Sequence, residues 1–274
     1  MPKLIEDARH RASAPSHDGE GASPRPTEPS RARCRARAKT LLTILAALVL
    51  APLTVVVGMG IPGNGYYLSG TLIVLYAIVP FFVAFEGRRP TAREIAVVAV
   101  LTALAVAARA AFVWVPHFKP MAAIIMIAGI AAGPQTGFLV GSVAALASNF
   151  IFGQGPWTPW QMLAFGVVGL VAGLLADARV FPRANLSWPR RVALAVTGFV
   201  LIVGLAGPIL DTSTFFYLST APTPELAATV YLAGLPVNAI HGVATALTLL
   251  VVANPLLDQL ARVRVKYGLL NRSR

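Results

Sequence analysis

The chain is 274 residues long, 56% hydrophobic and only 12% charged, about half the charged share of an ordinary soluble domain. That composition argues against a water-soluble fold, and the single cysteine, Cys34, excludes an intrachain disulfide framework, a four-cysteine zinc site and an iron–sulfur cluster held by the chain's own thiolates. The net charge of +12 comes from 23 Lys and Arg against 11 acids, so the positions of the basic residues carry the information.

Residues 1–39 are rich in Arg, Ser and Pro with no apolar periodicity, which predicts a disordered tail. Its cluster Arg31, Arg33, Arg35, Arg37 and Lys39 directly precedes an apolar run and reads as a juxtamembrane anchor on anionic lipid rather than a nucleic-acid-binding arm. A cleaved signal peptide does not fit so long a charged stretch followed by repeated apolar runs. Apolar runs then recur at about 41–58, 67–85, 95–115, 121–133, 137–152, 161–176, 192–209 and 233–254, separated by short Gly, Pro or Arg punctuation. Crossing a hydrocarbon core of about 30 Å takes about 20 helical residues. The fourth and fifth runs are short and span only in a thinned or protein-shielded environment. The expectation is an all-α, polytopic membrane helix bundle of about eight helices, between a tail at 1–39 and a basic tail at 259–274.

Of the 23 Lys and Arg, 21 fall in the tails and in the loops on one side of this bundle, leaving Lys119 on the other side and Arg109 inside a helix. The positive-inside rule then places both termini in the cytoplasm of a multi-pass protein of the cytoplasmic membrane.

Polar side chains are expensive within a bilayer, so their depth is informative. Arg109, Asn149, Gln161, Asp211, Asn238 and His241 all fall toward the outer leaflet in this topology, and Asn238 and His241, three apart, share a helix face. One reading is interfacial snorkelling with a structural Arg109–Asp211 ion pair; the other is the floor of an outward-facing site. The outer loop Gly153-Gln154-Gly155-Pro156-Trp157-Thr158-Pro159-Trp160 reads as a lid, the alternative being an aromatic belt at headgroup level. His117, Phe118 and Lys119 on the neighbouring outer turn form its opposite wall. Along the third helix, Ala96, Ala99, Ala103, Ala107 and Ala110 make a stripe of small residues that lets another helix approach closely, with Arg109 about 120° away. Gly137, Gly141, Gly166, Gly169 and Gly173 signal similar close packing inside the bundle.

No G-x-x-x-x-G-K-[ST] loop occurs, so any ATP hydrolysis belongs to a partner. No H-E-x-x-H, G-x-S-x-G or cysteine–histidine pairing is present, and the four histidines have no metal-ligand spacing. The expectation is no enzyme, no cofactor and no metal.

The stretch from Arg93 to Asp177 resembles the substrate-binding S component of energy-coupling factor (ECF) vitamin transporters. The resemblance rests on Phe118-Lys119-Pro120, Ala128-Gly129-Ile130-Ala131, Gly137-Phe138, Ser148-Asn149-Phe150 and Phe152-Gly153-Gln154-Gly155-Pro156-Trp157-Thr158-Pro159-Trp160-Gln161-Met162. Asp211-Thr212 and the segment from Leu232 to His241 fit the same pattern. It implies capture of a vitamin from outside, with cobalamin or a related corrinoid as first guess and riboflavin, thiamin or a folate nearly as suitable. It also implies partners: a transmembrane T component carrying two cytoplasmic ATPases, docked on the stripe at Ala99, Ala103 and Ala107. Trp157 and Trp160 would cover the ligand, Asn149, Gln154, Gln161 and Asn238 would supply hydrogen bonds, and Arg109 would meet a carboxylate, phosphate or carbonyl, with Phe118, Lys119, Asp211 and His241 completing the site. The family's usual core has six helices, so the resemblance implies a six-helix membrane core at 87–258 and leaves the two N-terminal helices within 40–86, before Arg88, as an addition. A stand-alone ion-coupled secondary transporter and a membrane scaffold without a transported ligand are the competing classes.

Overall fold

The computed structural model describes residues 65–86, 91–218 and 223–267; the tail at 1–39, the first predicted helix and the loop at 87–90 lie outside the described residues. The elements are α1 (Gly65–Glu86), α2 (Ala92–Ala111), α3 (Met121–Ala132), α4 (Pro134–Phe152), α5 (Thr158–Asp177), α6 (Trp188–Leu201), a π-helical turn (Ile202–Ala206), α7 (Gly207–Leu218) and α8 (Pro224–Tyr267). Helix α6, the π turn and α7 run on as one apolar helix of 31 residues. With α2, α4, α5 and α8 it is long and apolar enough to cross a membrane, and no strand occurs among the described residues. The chain is an all-α polytopic membrane bundle.

Sequence signals explain where the helices begin. Thr91 Oγ1 accepts from the Glu94 amide at 3.3 Å while Glu94 Oε2 accepts from the Thr91 amide at 2.9 Å, a capping box that satisfies two amides at the start of α2. At Gly133, φ is 99°, a conformation that L side chains rarely adopt, and there the chain reverses from α3 into α4 with Pro134 in the first turn.

Helix α3 has only 12 residues, about 18 Å of rise, well short of the bilayer. It needs no lipid-facing length, because Met121 to Ile130 are all buried and the helix forms the centre of the bundle. Helices α3, α4 and α5 touch backbone to backbone. A Cβ on Gly129 would lie 2.1 Å from the Gly169 carbonyl oxygen, one on Gly137 2.3 Å from the same oxygen, and one on Gly141 2.2 Å from the Phe165 carbonyl oxygen.

Helix α8 departs most from the sequence reading. The apolar run at 233–254 lies inside a helix of 44 residues. The helix starts earlier because Thr223, Pro224 and Glu225 form a start signal, with the Leu226 amide donating to Thr223 Oγ1 at 3.2 Å. It ends later because polarity does not end a helix: residues 259–267, expected in the basic tail, continue it past Pro255. The loop at 178–187 is tied to this far part of α8, the Asn185 amide donating to Asp258 Oδ1 at 2.7 Å and the Leu186 amide to Asn254 Oδ1 at 2.8 Å.

The two ends of the bundle differ in charge. The start of α2, the loop at 178–187, the start of α6 and the end of α8 bring Arg93, Arg179, Arg183, Arg190, Arg191, Arg262, Arg264 and Lys266 to one end. The other end holds Lys119 and the buried Arg109. On α2, Ala96, Ala99, Ala103 and Ala107 are exposed, whereas Leu101, Thr102, Ala105 and Arg109 are buried, so the small-residue stripe faces away from the bundle.

Candidate ligand-binding site

Arg109, in the last turn of α2, is 9% exposed, and its guanidinium is held from three sides. Nη1 donates to Ser148 Oγ and, at 3.0 Å, to Asn149 Oδ1, both on α4. Its Cζ lies 4.6 Å from the centre of the Phe152 ring, a cation–π contact in a setting where little water competes. Asn149, 1% exposed, passes the network on. Its Nδ2 donates to Thr158 Oγ1 at 3.0 Å and to Gln161 Oε1 at 2.8 Å. Thr158 Oγ1 also accepts from the Gly155 amide at 3.3 Å and donates to Gln154 Oε1 at 2.9 Å. Gln154 Nε2 ends the chain at the Leu146 carbonyl, 3.2 Å away. Arg109, Asn149, Gln154 and Gln161, separated by up to 52 positions, thus form one polar unit with Ser148 and Thr158 as its joints. Neither joint was singled out from the sequence, although both stand within the motif runs that carry the resemblance; the signal was a hydroxyl beside an amide at a helix end.

A second polar group lies between α7 and α8. Asn238 Nδ2 donates to Asp211 Oδ2 at 2.8 Å, and Gly234 leaves the room, since a Cβ there would meet Asp211 Oδ1 at 2.4 Å. Thr212 Oγ1 and the Tyr231 hydroxyl are 2.6 Å apart in the same seam. Asp211 therefore pairs across to Asn238, whereas Arg109 is engaged by α4: neither hydrogen bond joins the two in the ion pair considered from the sequence.

His241 lies one turn beyond Asn238 on α8. Its ring lies 5.8 Å from that of Phe165 and within electrostatic reach of Lys119, Arg109 and His117. Lys119 itself, in the loop between α2 and α3, has its pKa lowered by burial and then by the Arg109 charge. Phe118 packs beside it, 5.1 Å from Phe112. Two buried donors or acceptors here, His241 Nε2 and Trp160 Nε1, have no hydrogen-bond partner.

The two tryptophans separate. Trp157 is 41% exposed and folds over Gly155, where a Cβ would come 2.4 Å from its ring. Trp160 is 6% exposed and packs with Val74, Ile78, Phe138 and Phe216 in the seam of α1, α4, α5 and α7. Trp160 is a packing residue with one unsatisfied N–H, and only Trp157 stands in a lid-like position. Among the described residues no group of three His, Cys, Asp or Glu forms a metal site.

The family model for the "ECF-type riboflavin transporter, S component" matches residues 90–262, from just before α2 into the last turns of α8. The chain belongs to this family. Helix α1 lies outside the match, and the S component core coincides with the part of the bundle that carries both polar groups. A "UPF0397 protein" of Vibrio atlanticus is 31% identical over 104 residues, 37% of this chain and 53% of the relative, so the chain spans about half the length of that relative. A "UPF0397 protein" of Clostridium perfringens is 25% identical over 155 residues, 55% of this chain and 76% of the relative. One of Aliivibrio fischeri is 36% identical over 56 residues, 20% of this chain and 30% of the relative. No solved structure matches the chain. The family is one of transporter components, and the chain is not an enzyme.

Proposed function

We propose that the chain is the vitamin-capture subunit of an energy-coupling factor importer, binding its ligand from the outer side of the cytoplasmic membrane with both termini in the cytoplasm. The observation that carries the reading is the convergence of Arg109, Lys119, Asn149, Gln161, Asn238 and His241 at the weakly charged end of the bundle, with His241 Nε2 and Trp160 Nε1 unpaired. A buried polar atom without a partner costs about 1–3 kcal/mol, and a ligand that satisfies it recovers that penalty. The rings of Phe118, Phe152 and Phe165 stand beside these few fixed polar groups, the combination by which small-molecule sites join affinity with orientation. Arg109 and Lys119 favour a ligand that presents a carboxylate, phosphate or carbonyl. Trp157 acts as the cover, and Trp160 holds the start of α5 against α1 and α7.

The resemblance of the motifs put cobalamin first, and the name of the matching family puts riboflavin first. Both present carbonyl or amide acceptors around a large ring system. On the partner side, the exposed stripe Ala99, Ala103 and Ala107 is the docking face for a T component with its two ATPases, since small side chains allow close helix approach.

The test is equilibrium binding of the purified protein to riboflavin, cobalamin, thiamin and a folate, read by tryptophan quenching and calorimetry. The reading expects saturable one-to-one binding of one vitamin, lost in Arg109→Ala. Failure of every vitamin to bind a folded protein overturns it. Uptake that collapses with an ionophore and persists without the ATPases assigns the chain to the secondary transporters instead.

A further inference from the structure

Helix α1 stands outside the region that the family model covers, yet it reaches the polar network by packing. Gly70, Val74 and Ile78, spaced by four, form one stripe of the helix. All three are buried, while Leu68, Leu75 and Val79 are exposed. The stripe lies on Trp160 in the seam of α1, α4, α5 and α7. At Gly70 the contact has no slack: a Cβ there would come 2.7 Å from Trp160 Cζ2 and 3.2 Å from Phe216 Cδ2. The indole has little room to give way, because the Phe216 ring stands 6.0 Å from it on the α7 side and Phe138 belongs to the same cluster.

Trp160 occupies the first turn of α5, between Thr158 and Gln161. Those two side chains are the acceptors of Asn149 Nδ2, at 3.0 Å and 2.8 Å, and Asn149 Oδ1 accepts in turn from Arg109. A hydrogen bond survives a shift of a few tenths of an ångström and is lost over about one, so the setting of this turn decides whether Asn149 keeps both acceptors. The route from α1 to Arg109 has three steps: backbone against indole, indole carrying the turn, and turn holding Asn149.

We propose that α1 is a positioning element of this network: Gly70, through the Trp160 ring, sets the first turn of α5 and with it Thr158, Gln161, Asn149 and Arg109. The positioning stands on packing and hydrogen bonds alone; its consequence for vitamin binding rests on the reading of the network as the ligand site.

The experiment uses the full chain in detergent with two readouts, amide hydrogen exchange without ligand and binding of riboflavin by calorimetry. Gly70→Val drives a branched side chain into the indole. The amides of Gly155, Thr158 and Gln161 bond to Thr158 Oγ1 and to the Gly155 and Trp157 carbonyls. In the variant they exchange faster while α3 keeps its protection, and riboflavin affinity falls about tenfold, the scale of one hydrogen bond lost to a charged group. Trp160→Phe deletes Cζ2 and Cη2, the ring atoms nearest the new side chain, and in that background adding Gly70→Val changes either readout by less than about twofold. Leu75→Ala, on the exposed side of α1, changes neither. Where Gly70→Val yields no folded protein, Gly70→Ala, which adds the same Cβ, takes its place. The proposal is overturned if exchange at the start of α5 stays as it was, if exchange rises equally in all helices, or if the effect is undiminished in the Trp160→Phe background. An unaltered chain that binds no riboflavin counts against that ligand and not against α1, since exchange alone then decides. Faster exchange with unchanged riboflavin affinity keeps the positioning role and removes the network from the ligand site.

Discussion

Arg109 is the side chain on which the polar network between α2, α4 and α5 turns. Its guanidinium is engaged by Ser148, Asn149 and the Phe152 ring, so removing a partner strands a buried charge rather than deleting one bond. Asn149→Leu takes away the Arg109 acceptor and the donor to Thr158 and Gln161 together, and it lowers unfolding stability by about 2–4 kcal/mol, as expected for a broken buried charge–dipole network; thermal unfolding in detergent measures this. The two tryptophans give opposite outcomes. Trp157→Ala weakens vitamin binding and shifts stability by less than about 0.5 kcal/mol, as exposed positions do, whereas Trp160→Ala removes a core ring and costs about 3–5 kcal/mol. Calorimetry and unfolding measured on the same two variants separate the roles. Lys119 adds a pH dependence. Burial and Arg109 hold its pKa below the ordinary 10.5, so between the lowered value and 10.5 the unfolded chain binds more protons than the folded one, and stability rises with pH across that window. In Lys119→Met that rise disappears, which an alkaline series of unfolding midpoints reads directly. The sequence made the members of this polar network legible, because Arg, Asn and Gln at the ends of apolar helices are too costly to be incidental. It left the pairing unread, since which acceptor Arg109 takes depends on helix rotation, and Asp211 turned out to be occupied by Asn238.

Among the elements, the helix trio α3, α4 and α5 is held by glycines that admit no substituent. Gly137→Leu forces apart backbones that approach within a would-be Cβ distance of 2.3 Å, and the expected result is loss of the folded monomer by size-exclusion chromatography. Helix α2 behaves differently, because its stripe faces outward. Ala103→Trp leaves vitamin affinity unchanged and prevents co-purification with the T component; co-purification at the level of the unaltered chain removes that face from the docking model. Hydropathy found the described helices because their lipid-facing and buried sides are both apolar. It misjudged α8, where the apolar run marks the membrane-embedded stretch and the helix itself is set by the Thr223 cap at one end and by continued hydrogen bonding beyond Pro255 at the other.

For the whole molecule, the separation of charge between the two ends predicts orientation. In a Cys34→Ser background, Glu225→Cys reacts with a membrane-impermeant maleimide added to intact cells and Arg262→Cys reacts only after permeabilisation; the reverse pattern inverts the topology and moves the ligand site to the inner face. Helix α1 lies outside the matched family region and packs on α5 and α7 through Trp160 and Phe216, whereas the expected tail and first N-terminal helix lie outside the described residues.

The length of α8 has a mechanical consequence. Forty-four residues rise about 66 Å, twice the thickness of the hydrocarbon layer, and one rod carries His241 at the end with the polar network and Arg264 at the basic end, about 35 Å apart by the same rise. A tilt of about 10° pivoting near His241 displaces Arg264 by about 6 Å. Pro236 and Pro255 are the points where such a rod bends instead of transmitting, so they set how much of a movement at one end of the bundle is delivered as a displacement at the other.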